Sequence, residues 1–403
     1  MTSEIGSDVP PLVLKFGGSS FAQLDGYRRV ARYAARRVAE DKQPLVLVAS
    51  AMSGTTGRLQ QTLDAVAADP PAAAAAMLLT SGETVSVALL AAALDAAGLP
   101  ARPLSAADTG LLAAGPPDRA GLRRAEPATL RAALDGCPVL VVPGGQAVDE
   151  AGRTVMLGRN SSDLSAVAVA GALGAPVCEL FSDVPGVCTA DPHLVPTART
   201  IARISYEGVR RMSRHGAKVV HESAVDWAER TGVRLHCRPF PWERGPAAGT
   251  LVGVGPAAAS VVVHPNSEVW RFRTASERRA AAERLRSEGL ATTAVDAAGG
   301  AHLLVPRGAR GAARHLGSAR HQDGLSVVTT VRADGGVDHV LVRRDEAEAE
   351  ARRRHDLLYP DPAGAEAAVL PLSAKARSAY SDMLVGDGRS AQGSVPSSPS
   401  ESG

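Results

Sequence analysis

Residues 11–20 read PLVLKFGGSS. The segment LVLKF predicts a buried strand with Lys15 as its one charge, and Gly17, Gly18, Ser19 and Ser20 end it. The chain has only four lysines, Lys15, Lys42, Lys218 and Lys375, so forty of its 44 basic residues are arginine. A lysine kept at this place in so arginine-rich a chain points to a task for a compact ammonium that a planar guanidinium cannot perform. Two glycines after a strand let the main chain approach an anion closely and offer it N–H groups. Taken alone, the same letters also suit a plain turn. No GxxxxGK[ST] occurs, which argues against a P-loop nucleotide fold.

Outward from this stretch, short apolar runs alternate with helical ones. GYRRVARYAARRVAED predicts an amphipathic helix, PLVLVASA a second strand, and the alanine-rich run through TSGETVSVALLAAALDAAG a long helix. PVLVVPG, the helix LSAVAVAGALGA and the strand VCELFSD follow. Continuous apolar strands separated by helices predict an α/β fold whose mostly parallel sheet is covered on both faces. Chemistry in such folds gathers at the carboxyl ends of strands, where KFGGSS, ASAMSGTT and FSDVPG all fall.

Composition narrows the function. A charge of +2 over 403 residues, with no basic block rich in aromatics, argues against nucleic acid as partner. Cys137, Cys178, Cys188 and Cys237 are scattered without a CxxC, which argues against a zinc site or a disulfide scaffold. The polar start MTSEIGSDVP is unlike a secretory signal, and Asp, Gly or Pro interrupts each long apolar stretch. The expectation is a cytoplasmic protein without a membrane partner.

Three further segments offer chemistry. In LGRNSSD (157–163), Arg159 suits a bidentate grip on a carboxylate, and Asp163 can hold a lysine or orient an attacking group. That segment also suits an ordinary helix N-cap with an acidic first turn. FSDVPGVCTADPHLVP (181–196) spaces Asp183 and Asp191 among turn formers, as in a nucleotide-binding loop or any Asp/Pro/Gly loop. HGAKVVH (215–221) sets two histidines about Lys218 but lacks a third metal ligand.

In this order, the segments KFGGSS, ASAMSGTT, TSGE, LGRNSSD, SDVPGVCTADPH, ARTIARISYEG and GAKVVHE resemble the aspartate kinases of the amino-acid kinase superfamily, over roughly residues 11–252. The family pattern runs KFGGTS, VSAM, SxGE, LGRGGSD, TDVDGVYTADPR, ARxIxxISYEE and GAKVLHP. The resemblance implies an amino-acid-kinase-type sandwich that uses ATP and Mg²⁺ to phosphorylate the side-chain carboxylate of L-aspartate. It makes Lys15 and Lys218 the cations on the migrating phosphoryl group and Asp163 their orienting carboxylate. Gly17, Gly18 and Ser19 would cradle phosphates, while Ser182, Asp183 and Asp191 would contact the nucleotide. Ser50 and Thr56 would line the meeting point of phosphate and substrate. Glu83 would take the substrate ammonium, and Arg159 with Ser162 its carboxylate.

The sequence departs from the pattern at several positions. Asn160 and Ser161 replace a glycine pair, Gly145 a bulky apolar residue, Pro185 an Asp, Cys188 a Tyr, His193 an Arg and Glu222 a Pro. A diverged kinase for another acidic amino acid, or a catalytically silent partner subunit, therefore stands as the alternative.

The predicted organisation is a disordered N-terminus at 1–10, a catalytic domain at 11–255, and a degenerate ACT-like α+β domain at 256–345. A remnant of a second such unit, or a helical extension, follows at 346–385, and a disordered tail at 386–403. In the ACT-like region VVVHPNSEVWRFR opens a βαββαβ unit closed by LSVVTTVRA, and EAEAEARRRHD reads as a solvated helix. The resemblance implies a homodimer. The shortened C-terminal region implies weak feedback control by lysine or threonine, as suits a specialised biosynthetic pathway.

Overall fold

The computed structural model describes residues 9–217, 219–240, 249–264, 266–288, 290–297, 299–309 and 311–360. Lys218, the first eight residues and everything after Pro360 lie outside it. So do the disordered tail expected at 386–403 and most of the expected 346–385 remnant.

The stretch LVLKF forms strand β1 (Leu12–Phe16) inside an eight-stranded sheet. From one edge the strands run Arg203–Ile204, Thr250–Val252, Arg234–Pro239, Val177–Ser182, β1, β2 (Leu45–Ala49), Val139–Pro143 and Arg102–Pro103. All neighbours are parallel except Arg234–Pro239 with Thr250–Val252. Parallel strands joined by helices must be covered on both faces, and two apolar clusters do this. Leu14 and Phe16 point to one face with α1 (Asp25–Asp41) and, beyond α2 (Thr55–Val66), with α3 (Ala72–Ala96). After α4 (Ala128–Gly136), the other face is covered by α5 (Ser162–Leu173) and, following α6 (Tyr206–Arg214), by α7 (Glu222–Thr231). Side chains alternate along a strand, so Lys15 shares the face of Val13 and looks toward α5.

The aromatic side chains concentrate under the KFGGSS loop. Phe16 stacks on Phe181 at 4.8 Å, and Phe21, Tyr33 and Phe240 close around Phe16. Four of the five phenylalanines thus stiffen the ends of β1 and Val177–Ser182. The charge inside VCELFSD is also satisfied: Glu179 lies between Arg37 at 2.8 Å and Arg238 at 2.6 Å.

Helix α3 runs unbroken through Gly82, as the single long helix expected from the sequence. A Cβ on Gly82 would lie 2.9 Å from the Ala51 Cβ, so the residue admits the loop after β2 against the helix. By length and composition α3 could cross a membrane, but its buried side packs on α1 and on the sheet.

Sequence reading missed a second, four-stranded sheet, ordered Gly121–Ala125, Leu111–Ala114, Gln146–Val148 and Thr154–Met156. Its strands span three to five residues, too short for periodicity to register.

Beyond residue 255, VVVHPNSEVWRFR is two strands in two sheets, not one. Ser267–Phe272 belongs to a four-stranded sheet with Thr293–Ala297, Gly300–Pro306 and the stub Arg320–His321. With α8 (Ala275–Ser287) and the single turn α9 (Ala313–Leu316), this is the βαββαβ unit. Ser260–Val263 pairs instead with Leu325–Val331, and Val337–Arg343 completes that three-stranded sheet. LSVVTTV therefore does not close the unit. It resumes a sheet that the unit interrupts. The last described helix, α10 (Ala347–Leu358), is not a solvated helix: Ala347, Ala351 and His355 are buried.

Candidate functional site

The ends of three adjacent parallel strands meet around the KFGGSS loop. The Gly17 N–H donates to the Phe181 carbonyl at 3.1 Å, and the Ser50 N–H to the Phe16 carbonyl at 3.1 Å. These bonds bring Lys15, Gly17, Gly18 and Ser19 beside Ser50 on one side and Ser182 on the other. Neither glycine has a positive φ, so conformational freedom is not why they are there. Space is the reason. A Cβ on Gly18 would lie 3.0 Å from the Ala51 carbonyl oxygen. One on Gly17 would lie 3.3 Å from the Phe181 carbonyl oxygen and 3.4 Å from Lys15 Nζ, so the absent side chain leaves main chain and ammonium bordering one small space.

Lys15 Nζ and Asp163 Oδ1 are 2.8 Å apart, and each side chain is 14% exposed. Asp163 lies in the first turn of α5, on the face to which strand alternation directs Lys15. The ordinary N-cap reading holds in position, with Ser161 at the N-cap and Asp163 in the first turn, but not in its side-chain bonds. Ser161 makes no side-chain cap, its Oγ donates to the Gly158 carbonyl at 2.6 Å, and the Asp163 carboxylate goes to the lysine.

Asn160 has φ +60°, a left-handed conformation that asparagine tolerates better than most residues. The main-chain path open to glycine is thereby kept. Gly145, at φ +71°, faces Ser161: a Cβ there would lie 3.2 Å from Ser161 Oγ. Ser161 is 1% exposed and fills room that a side chain at 145 would enter, so two of the departures offset each other. Arg159 stands at the mouth of this turn, exposed and with no ion-pair partner among the described residues, while Ser162 is buried beside Gly144.

Glu83, on α3, accepts a hydrogen bond from the Ala51 N–H at 3.3 Å. Burial drives its carboxyl up to about 7, against the main-chain hydrogen bonds that pull the other way. Thr56, half-buried, is the second residue of α2, whose first residue, Thr55, packs its methyl toward Gly82. A half-buried carboxylate thus borders the end of β2, and an exposed guanidinium the turn that opens α5.

Asp183 is half exposed, with His193 Nε2 3.9 Å from its carboxylate, and the Asp191 carboxylate takes the His193 N–H at 2.9 Å. The histidine found in place of an arginine therefore still carries its ring toward the loop carboxylate. Lys218 lies outside the described residues; of its neighbours, the Ala217 N–H donates to the Met212 carbonyl and Ser213 Oγ to the Val220 carbonyl. Sequence reading weighed His221 only as a metal ligand. Burial holds its imidazole below the ordinary range while the nearby Asp163 charge opposes that shift. Among the described residues no group of three or more His, Cys, Asp or Glu could hold a metal ion.

Residues 10–239, more than half of the chain, match the amino acid kinase family. The chain belongs to that family. The chain is 40% identical over 231 residues to the aspartokinase of Mycolicibacterium smegmatis, covering 56% of this chain and 54% of the relative. It is 40% identical over 227 residues to that of Thermus thermophilus, covering 56% of each. The chain spans about half the length of these relatives. In shape it is similar to E. coli aspartokinase III in complex with aspartate and ADP, with a TM-score of 0.67 at 19% identity, over 86% of this chain and 99% of that one. The aspartate kinase of Synechocystis is 27% identical with a TM-score of 0.52, over 80% of this chain and 60% of the other. The α/β fold with a mostly parallel sheet is that of the family, and the likeness in shape extends into the C-terminal sheets.

Proposed function

We propose that this chain transfers the γ-phosphoryl group of ATP to the side-chain carboxylate of L-aspartate, giving 4-phospho-L-aspartate. The observation that carries the reading is Lys15, paired with Asp163 at 2.8 Å, bordering the space left by Gly17 at the end of β1. Main-chain N–H groups and an ammonium together suit a phosphate better than either alone. The resemblance to aspartokinases, at about 40% identity through the whole motif series, supports aspartate as acceptor.

On this reading Gly17, Gly18 and Ser19 receive the β- and γ-phosphates, and Ser182, Asp183 and Asp191 the remainder of the nucleotide. Magnesium carried by the nucleotide would offset the phosphate charge. Glu83 takes the aspartate ammonium, Arg159 and Ser162 its α-carboxylate, and Ser50 and Thr56 border the reacting side chain. The attacking group is already a carboxylate, so no general base is required. The chain's contribution is to position the reactants and to neutralise charge with Lys15 and Lys218.

A panel of acceptors tests the reading. ADP release should be fastest with aspartate, and faster turnover of glutamate or a 3-substituted aspartate would displace it. The offsetting of Gly145 by Ser161, and the left-handed Asn160, favour a substrate pocket of ordinary shape.

Glu83 gives the reading a pH signature. With a carboxyl titrating near 7, the empty site is mostly protonated at pH 6 and mostly ionised at pH 8. An ammonium binds the ionised form, so KM for aspartate should fall about tenfold from pH 6 to pH 8. Glu83→Gln should raise KM and flatten that profile; a flat profile in the parent protein would refute the role.

Control by lysine or threonine should be weak. The βαββαβ unit closes with a single-turn helix and a two-residue strand, which leaves little to build an effector pocket. Inhibition by either amino acid at micromolar concentration would overturn this.

A further inference from the structure

The helix expected to be solvated is docked on the loop that the proposed function assigns to the nucleotide. In α10, His355 is 1% exposed, and both its ring nitrogens meet threonines of that loop. Nε2 lies 2.8 Å from Thr189 Oγ1 and Nδ1 3.3 Å from Thr197 Oγ1. These threonines flank Asp191 and His193. One turn earlier on α10, Arg352 Nε donates to the Leu194 carbonyl at 2.9 Å, and the Leu194 N–H returns to the Asp191 carbonyl at 3.0 Å. The helix therefore holds both the base and the tip of the loop.

Thr189 Oγ1 accepts the Arg199 N–H at 2.9 Å and keeps its own hydrogen and a second lone pair for Nε2, so the contact holds in either tautomer of the ring. Burial holds the imidazole below its ordinary range and so favours the neutral ring. The preceding residue of the same helix turn is fixed to the three-stranded sheet: Arg354 Nη1 donates to Thr330 Oγ1 at 2.9 Å and to the Asp338 carboxylate. One helix thus ties that sheet to the loop through adjacent residues.

We infer that His355 is a positioning residue for the nucleotide: it holds the 183–199 loop in its binding geometry so that ATP does not bear the cost of ordering it. A loop ordered in advance binds more tightly, whereas one that must be ordered by its ligand loses affinity. The inference rests on the assignment of Asp183 and Asp191 to ATP.

The test is steady-state kinetics with ATP and aspartate, together with direct titration of the protein by ATP–Mg²⁺. His355→Ala should raise KM for ATP about tenfold, with kcat and KM for aspartate within about twofold of the parent. His355→Gln, whose amide oxygen can accept the Thr189 hydroxyl, should recover most of the loss. If His355→Ala does not fold, Thr189→Val against Thr189→Ser carries the test, because only valine removes the hydroxyl while keeping the volume. A folded His355→Ala with the parent KM for ATP overturns the inference. So does a fall in kcat at unchanged KM, or a Thr189→Val that behaves as the parent. If the parent protein itself binds no ATP–Mg²⁺, the nucleotide assignment falls and this inference with it. If the parent binds and turns over ATP, the outcome bears on His355 alone.

Discussion

Replacing Lys15 with methionine is expected to lower acyl-phosphate formation by about a thousandfold, at the upper end of what one preorganised charge contributes. Methionine keeps the length and apolar stem of the side chain but removes the ammonium from the space beside Gly17. Arginine should restore little, and a loss of about a hundredfold is expected to remain. Its forked head is wider than the gap of 3.4 Å between Lys15 Nζ and the point where a Gly17 side chain would begin. Either change disturbs Asp163, and methionine leaves that carboxylate without its partner at 14% exposure. The expected cost of a broken, largely buried pair is about 3 kcal/mol. Lys15→Met/Asp163→Asn should recover part of that stability without recovering activity. Thermal melts beside hydroxamate rates separate the two effects, and a fully active, stable Lys15→Met would end the assignment.

The second large effect is expected at Arg159. Its guanidinium is exposed and has no ion-pair partner among the described residues, so it is available to an incoming carboxylate without breaking an existing bond. Arg159→Ala should lower kcat/KM for aspartate about a hundredfold, chiefly through KM, with KM for ATP near the parent value. Lysine should not substitute well, because one ammonium cannot make two parallel hydrogen bonds to a carboxylate. An equal rise in both Michaelis constants would indicate a collapsed α5 turn instead of a lost contact.

The central sheet was legible because its strands are continuous apolar runs, and the site because its lysine stood out against forty arginines. The partner of Lys15 also followed from alternation along β1, once α5 was known to lie on the Val13 face. Other features depend on neighbours distant in sequence. Pro265 and Asn266 mark a break inside VVVHPNSEVWRFR, but nothing local reveals that the strands on its two sides join different sheets. Asn160 looked like an intrusion into a glycine pair until its φ of +60° showed that it serves as one of them. The docking of α10 left a trace that was overlooked. In a helix otherwise dense with charge, Ala347, Ala351 and His355 recur every four residues and form the buried stripe. Glu83 was recognisable as a carboxylate in a helix, but its raised pKa arises from burial under the loop after β2, which sequence does not show.

The most direct test of the proposed phosphoryl transfer to a carboxylate traps its product. Incubated with ATP, Mg²⁺, aspartate and hydroxylamine, the parent protein should form aspartyl hydroxamate and ADP in equal amounts, and Lys15→Met and Lys218→Met should each form almost none. ADP released without hydroxamate, or either lysine variant matching the parent rate, would contradict the account.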